Sequence, residues 1–542
     1  MTKSRKILIV ITICALLIIG GVIGVVQFNM SNAEYKERQH LQIDGYRNVT
    51  ADTVKKGKLT LFIETALSLS KQNEMQLFEA LEDDYNYLES KLRLTPVINV
   101  AIISDDYILS ESDDFAYNHG IVICTLTAFE NKNYRTAFTG GYLRTTEKWK
   151  QVAVKEYFFG EKNCENTTAL KSYYENNEDE LVLTLFQGYF NKKFASEKII
   201  EIANMTAANL GEYILDNYSL NDLMSASLTD YRSDWLKNNN INASFNISCD
   251  LSWLNGAVYS EKFLQYPLVI ETDNRAFYLD SFHNERDSAT FDTPRAVIEH
   301  LSNGYTGVTE ALEYLRLNST TKNITGAIEN NYNRKIEYYI SSRERGTEAD
   351  VDSGKVYLRD PSEFTHETMH ILTMDKNMVD GAWLAEGLAE FLCREKSKVK
   401  SDIDCRMYYS FKDADVTGDL KDFVEDVKIK YKSSGGSFNS FEEFEFYLLE
   451  QSIAYVTLAK PDYKQSIEFP YATKSVKDMR YLSANDVGNN LTYPESYLMV
   501  KYLINKYGLE KVLFCCFDFN LEQTFGKTYE DIYSDFVITV QT

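Results

Sequence analysis

Histidine is scarce in this chain, with six in 542 residues, so any clustering of imidazoles is informative. Paired C-x-x-C cysteines are missing altogether, which excludes the common structural zinc ribbons. Of the eight cysteines, Cys14 lies in an apolar run; the rest (Cys124, Cys164, Cys249, Cys393, Cys405, Cys515 and Cys516) form an odd, scattered set unlike a disulfide framework. Basic residues are short as well: Lys and Arg number 57 against 80 Asp and Glu, a net charge of -23. Such a surface repels phosphates, so binding to nucleic acid is not expected. Long apolar runs are confined to one, from Ile7 to Phe28. A stretch of about 20 residues can span a bilayer. It is too long for a cleaved signal peptide and is followed by a poor cleavage site. Lys3, Arg5 and Lys6 precede it, and no comparable basic cluster follows. The reading is a single-pass membrane protein with a cytoplasmic tail at 1–6, a transmembrane anchor at 7–28 and everything after it extracytoplasmic.

What is present is concentrated in FTHETMHILTMDKNMVDGAWLAEGLAEF. On a helix, His366 and His370 lie one turn apart on the same face, so both imidazoles can reach one ion, with Glu367 beside them to contact water at that ion. A second helical stretch begins near Gly381. If the two helices run antiparallel about the polar turn DKNMVDG, Glu386 comes opposite the histidines and completes a His2Glu set with a position left open. Glu390, one turn beyond, can accept the free ring N–H of a liganding histidine and fix its tautomer. Trp383, Leu384, Leu388 and Phe391 on the same stretch are the packing face.

HETMH followed by WLAEGLAEF resembles the gluzincin metallopeptidases, the thermolysin and aminopeptidase N-like clan. Metzincins fit less well, because Thr373 and Lys376 stand where those need Gly and His. The interval to the third ligand is shorter than in thermolysin-like members, so the resemblance is to the clan. It implies an α/β, zincin-like catalytic domain holding Zn2+ through His366, His370 and Glu386, with Glu367 as the catalytic base and Glu390 behind the ligands. Thermolysin-like members steady the developing oxyanion with a later histidine, and none follows His370. In LTYPESYLMVKYLINKYG, which resembles the tyrosine-bearing helix of aminopeptidase-like gluzincins, the role maps onto Tyr493 with Ser496 as the small residue, and Tyr497 as the fallback. An edge strand pairs with substrate in such enzymes, which points to KVYL as the peptide rail. No GAMEN-like segment is found.

The remaining patterning delimits the catalytic unit. Helical spacing over about 293–317 precedes a strand in RKIEYYISS and another in SGKVYLRD. Residues 396 to about 489 are polar, with SSGGS among them, and read as an insertion. Internal similarity extends the picture. Without gaps, the segment from His119 lies over the segment from Ser353, matching Gly120 with Gly354, Trp149 with Trp383 and Glu156 with Glu390. VINVAIIS then stands where KIEYYISS does, and NLGEYILDNYSLNDL resembles YLMVKYLINKYGLEKV. KNYRT replaces HETMH, Val152 replaces Glu386 and Asn204 replaces Tyr493, and the cation of Lys132 opposes metal binding. The expected organisation is an inactive gluzincin-like pseudo-domain at 50–240, a β-rich connector at 241–290 and the catalytic domain at 291–542.

The function implied is a membrane-anchored zinc metallopeptidase acting on peptide or protein substrates, in which water at the zinc is activated by Glu367. Its rivals are a surface protein that keeps zinc structurally, and a catalytically silent receptor of the same fold that holds peptides without cleaving them.

Overall fold

A computed structural model describes residues 33–43, 48–104, 114–118, 120–160, 164–176, 178–262, 266–280, 293–341, 347–359, 363–375, 381–396 and 492–541. The expected anchor at 7–28 and the expected insertion after Lys396 lie outside the described residues, as do Cys14 and Cys405. Among the described residues no helix is long and apolar enough to cross a membrane. Cys124, Cys249, Cys393, Cys515 and Cys516 are free thiols. The protein is mixed α/β and divides into two compact units, Met1–Phe245 with Val258–Leu268, and Asn246–Ala257 with Val269–Thr542.

The first sheet holds β1 (Glu34–Gln42), β2 (Asn48–Lys56), β3 (Leu59–Glu64), β4 (Ile98–Ile103), β5 (Phe115–Asn118) and β6 (Ile121–Thr125), in the order β1-β2-β3-β4-β6-β5. Antiparallel pairing at β2–β3 gives way to parallel pairing at β3–β4 and β4–β6, and β5 closes the row antiparallel to β6. The parallel strands INVAII and IVICT are nearly continuous in apolar residues, as burial on both faces demands. Helix α1 (Lys71–Leu92), started by Ser70 accepting from the amide of Asn73, lays Phe78, Leu81 and Leu88 on Leu61, Val100 and Val122. Then follow α2 (Arg135–Leu143), α3 (Lys148–Phe159) and α4 (Glu197–Asn217).

The second sheet repeats this plan. Its strands β7 (Val258–Lys262), β8 (Tyr266–Glu271), β9 (Arg275–Leu279), β10 (Ile336–Ile340), β11 (Glu348–Asp350) and β12 (Lys355–Leu358) run in the order β7-β8-β9-β10-β12-β11. Taken from the first strand of each sheet, the two orders are identical. The directions agree too: β9–β10 and β10–β12 are parallel, and β11 is antiparallel to β12. Gly120 and Gly354, which open β6 and β12, both take positive φ, 85° and 70°. Successive residues face opposite sides. Phe277 and Tyr338 therefore stack on one face at 5.0 Å, while Tyr278, Tyr339 and Tyr357 form a row on the other at 4.7 and 5.3 Å.

Two boundaries differ from the sequence reading. Residues 241–290, read as a connector, contribute β7, β8 and β9 to the second sheet, so the repeat begins well before residue 291; likewise the first sheet begins at Glu34 rather than near residue 50. YPLVIE and RAFYL have the composition of strands, whereas EYKERQHLQ is polar and mostly exposed; which strands each joins depends on long-range pairing. KVYL is corrected as well. It forms β12, which sits between β10 and β11 with both edges paired, so the end strand is β11. A short, polar three-residue strand carries almost no periodicity to announce itself.

The helices of the second unit include α5 (Pro294–Asn318), α6 (Lys322–Asn333), α7 (Phe364–Thr373), α8 (Ala382–Lys396) and α9 (Thr492–Tyr507), with Leu509–Phe517, Leu521–Phe525 and Tyr529–Gln541 after them. A cap at Thr293, accepting from the amide of Ala296, and Pro294 in the first turn set the start of α5. Among the close helix crossings of the described residues, one in each unit is built on a glycine with no room for a Cβ. A Cβ on Gly211 of α4 would stand 2.3 Å from Cβ of Ala153 on α3. On Gly387 of α8 it would stand 2.3 Å from the carbonyl oxygen of Ser496 on α9. Ala153 and Gly387 each follow a fully buried tryptophan, Trp149 and Trp383, by four residues. The crossing therefore falls at the same place in both units.

Candidate metal centre

Helix α7 is buried along its whole length, which is unusual for a segment carrying two histidines and a glutamate. Its placement is tightly specified. A Cβ on Gly304 of α5 would stand 2.5 Å from the ring of Phe364, so α5 and α7 meet closely there, and Thr365 Oγ1 donates to the Gly304 carbonyl at 3.2 Å. Thr368 Oγ1 pairs with the Tyr338 hydroxyl at 3.0 Å, holding the helix to β10. At the far end Asn331 Nδ2 donates to the Met374 carbonyl at 2.9 Å, so this buried carbonyl just past the helix has a partner. These supports share no local motif with HETMH, and nothing in the sequence singles out Gly304 or Asn331.

The next described helix is α8, and its Glu386 lies beside both imidazoles. His366 Nε2 and His370 Nε2 lie 3.2 Å apart, and Glu386 Oε2 lies 3.0 Å from the first and 3.4 Å from the second. Ligands 2.0–2.1 Å from a tetrahedral zinc are separated from one another by about 3.3 Å. The three donor atoms are thus spaced as the corners of one face of such a tetrahedron. His366 and His370 are 5% and 7% exposed. Ligand-capable atoms of His366, Glu367 and His370 all fall within 4.8 Å of one another. Within that cluster Glu367 is the member adjacent in sequence, whereas the contacts to both ring nitrogens belong to Glu386.

Behind the ligands, Glu390 Oε1 lies 3.0 Å from His366 Nδ1, and its side chain is fully buried. The electrostatics follow from this packing. Burial by itself lowers the proton affinity of His366, but contacts with Glu386 and Glu390 outweigh it and raise the pKa well above the usual value. Burial pushes Glu386 the other way, yet His370 and His366 win and hold its carboxyl well below the ordinary range. Glu367 has no such contact. Desolvation raises it to about 7 against the opposing pull of the two histidines. One carboxylate is therefore held ionised and the other is near the midpoint of its titration at neutral pH.

Tyr493 stands in the first turn of α9, and its side chain lies outside the described residues. Ser496 is buried at the crossing with Gly387, and Tyr497 is buried with its hydroxyl accepting from Lys501 Nζ at 3.0 Å. In the first unit Val152 is buried at the position matching Glu386, and Glu156 pairs with Lys155. The residues paired with HETMH are not helical throughout. Lys132 has φ of 63°, in a turn before α2, so KNYRT straddles a turn and a helix start. The ungapped alignment is therefore out of register there, although it is in register at Trp149. No protein-family model matches the chain, and neither a curated protein nor a solved structure matches it.

Proposed function

We propose that the second unit is a gluzincin-like zinc peptidase, that the first is a copy of the same fold without a zinc set, and that Ile7–Phe28 anchors the chain with both units outside the cell. The observation that carries this reading is the convergence of His366 Nε2, His370 Nε2 and Glu386 Oε2 at 3.0 to 3.4 Å, with the histidines buried and the glutamate side chain 16% exposed. Two neutral imidazoles and one carboxylate are the donor set that zinc takes in hydrolytic sites. When bound, zinc supplies Lewis-acid polarisation of a carbonyl and a lowered pKa for water.

The residues of this chain divide the remaining work. Glu386, whose carboxyl the histidines hold well below the ordinary range, stays ionised at neutral pH and supplies the negative charge of the ligand set. Glu390 accepts from the Nδ1 side of His366 and so directs Nε2 toward the metal position. Glu367, with its pKa brought to about 7 by burial, takes a proton from water and returns it to the leaving amine. The end strand β11, antiparallel to its neighbour, offers an edge for the extended backbone of a substrate.

The deciding experiment uses metal analysis together with cleavage of a peptide library. The wild-type chain should carry zinc and cleave peptides in a chelator-sensitive way. Glu367→Gln should keep the zinc and lose turnover; a Gln variant that still cleaves would remove Glu367 from the mechanism. A zinc-loaded wild type with no cleavage would favour the silent peptide-binding reading.

A further inference from the structure

Residues in register across neighbouring strands share a face of the sheet, so they form files that run from strand to strand. In the second sheet Tyr338 of β10 is in register with Val356 of β12, and Val356 with Ala349 of β11. This file faces α7, since the Tyr338 ring lies 4.6 Å from that of Phe364. The files on the opposite face are different in kind. One runs through Tyr278, Tyr339, Tyr357 and Glu348, and the next through Glu337, Lys355 and Asp350. Both end on a carboxylate at β11, which is the end strand of the sheet.

The charges of the second file alternate from strand to strand, negative, positive, negative, so a cation is what would continue the sequence. Asp350 is partly engaged already, because its Oδ2 accepts from Ser353 Oγ at 2.5 Å. Glu348 is exposed, and its carboxylate has no hydrogen-bond or ion-pair partner among the described residues. Strand β11 lies against α7, the helix that carries His366, Glu367 and His370. A peptide added along β11 therefore runs beside that helix, with successive side chains on opposite faces. Those turned toward α7 fall in the file of the small Ala349. Those turned away fall beside Glu348 and Asp350, where opposite charge across the strand pair stabilises and like charge destabilises. A second copy pairing through the same edge would bring a further pair of carboxylates to it, in a chain of net charge -23.

We propose that the substrate of the second unit is an extended peptide with Lys or Arg at alternate positions, selected by Glu348 with Asp350 beside it. The proposal rests on the peptidase reading for the place of the peptide and adds the class of peptide. Glu348 is then a specificity-determining residue, remote from the chemistry and acting on binding.

The test is fluorescence anisotropy on the full chain carrying Glu367→Gln, so that bound peptides stay uncut. The probes are labelled peptides of one extended sequence with Lys, Gln or Glu at two alternate positions. The Lys peptide should bind about fivefold tighter than the Gln peptide, the scale of exposed ion pairs. Adding Glu348→Lys should reverse the order, so that the Glu peptide binds tighter than the Lys peptide; a preference owed only to the net charge of the chain would keep its order. Equal affinities, binding of none of the peptides, or an order that Glu348→Lys does not move would each overturn the proposal. Equal affinities would leave the carboxylates only the task of keeping the edge from pairing with another copy. Cleavage by the wild-type chain is scored separately. Cutting without charge preference removes this proposal and leaves the peptidase, whereas charge-selective binding without cutting does the reverse.

Discussion

The two sheets share a strand order and a positive-φ glycine before the last parallel strand, and the two units a crossing of helices at matched positions, yet among the described residues only the second gathers metal-ligating atoms. In the second unit the helix after the last parallel strand is continuous and buried, and its two histidines meet a glutamate from the next helix. In the first a short helix, Leu126–Glu130, gives way to a turn through Lys132 with a left-handed φ before α2 begins, and the position matched to Glu386 on α3 is Val152. The comparison teaches that one strand order accommodates very different side chains at the same positions. Sheet and crossing are held by apolar packing common to both, and the ligand set is added on top by a handful of side chains.

The largest expected effect separates the two units by metal content. Glu386→Ala should take zinc from about one ion per chain to almost none, since two imidazoles alone leave a tetrahedral site half built. Val152→Glu in the first unit should not bring the content to two, because the turn at Lys132 leaves no helical histidine pair to meet it. A second equivalent of zinc in that variant would show that the units differ less than their side chains suggest.

Next comes Glu390→Gln, which removes a buried carboxylate 3.0 Å from His366 and keeps the side-chain shape. Zinc affinity, read by competition with a chelator, should fall by about 10- to 100-fold. An unchanged affinity would reduce Glu390 to a packing residue.

The smallest effect tests what the units have in common. Gly211→Ala and Gly387→Ala each force a Cβ to 2.3 Å from an atom across the crossing. Each should cost about 1–3 kcal/mol in thermal or denaturant unfolding, the range for overpacking. The two should be alike in stability, but only Gly387→Ala should also weaken zinc binding, because it displaces the residue beside Glu386. If Gly211→Ala alone is tolerated, the crossings are not equivalent.

Much of the site was legible from local spacing. His366, Glu367 and His370 lie on one helix, where a period of 3.6 residues dictates which side chains share a face, and Glu390 follows Glu386 by one turn for the same reason. Glu386 needed a further assumption, that the helix after DKNMVDG folds back on α7, and its approach to 3.0 Å from His366 agrees with that. The peptide rail was not legible. KVYL has the alternation of a strand, and its interior place in the sheet is set by pairing with β10 and by a three-residue β11 that leaves no periodic trace. Nor was the alignment of KNYRT on HETMH sound, because sequence matching without gaps cannot register a turn that interrupts a helix.

By itself, the sequence determined the chemistry on offer: an acidic, histidine-poor chain with one helical histidine pair and a glutamate pair one turn apart. It also determined the runs of apolar residues from which strands and helices form. Tertiary structure alone decided that three donor atoms from two helices lie within 3.4 Å of one another, that Gly304 and Asn331 seat the histidine helix, and that β7 joins the second sheet. The division has a physical cause. Periodicity within one element is set by backbone geometry and shows in the order of residues, whereas contacts between elements distant in the chain depend on packing that no short stretch encodes.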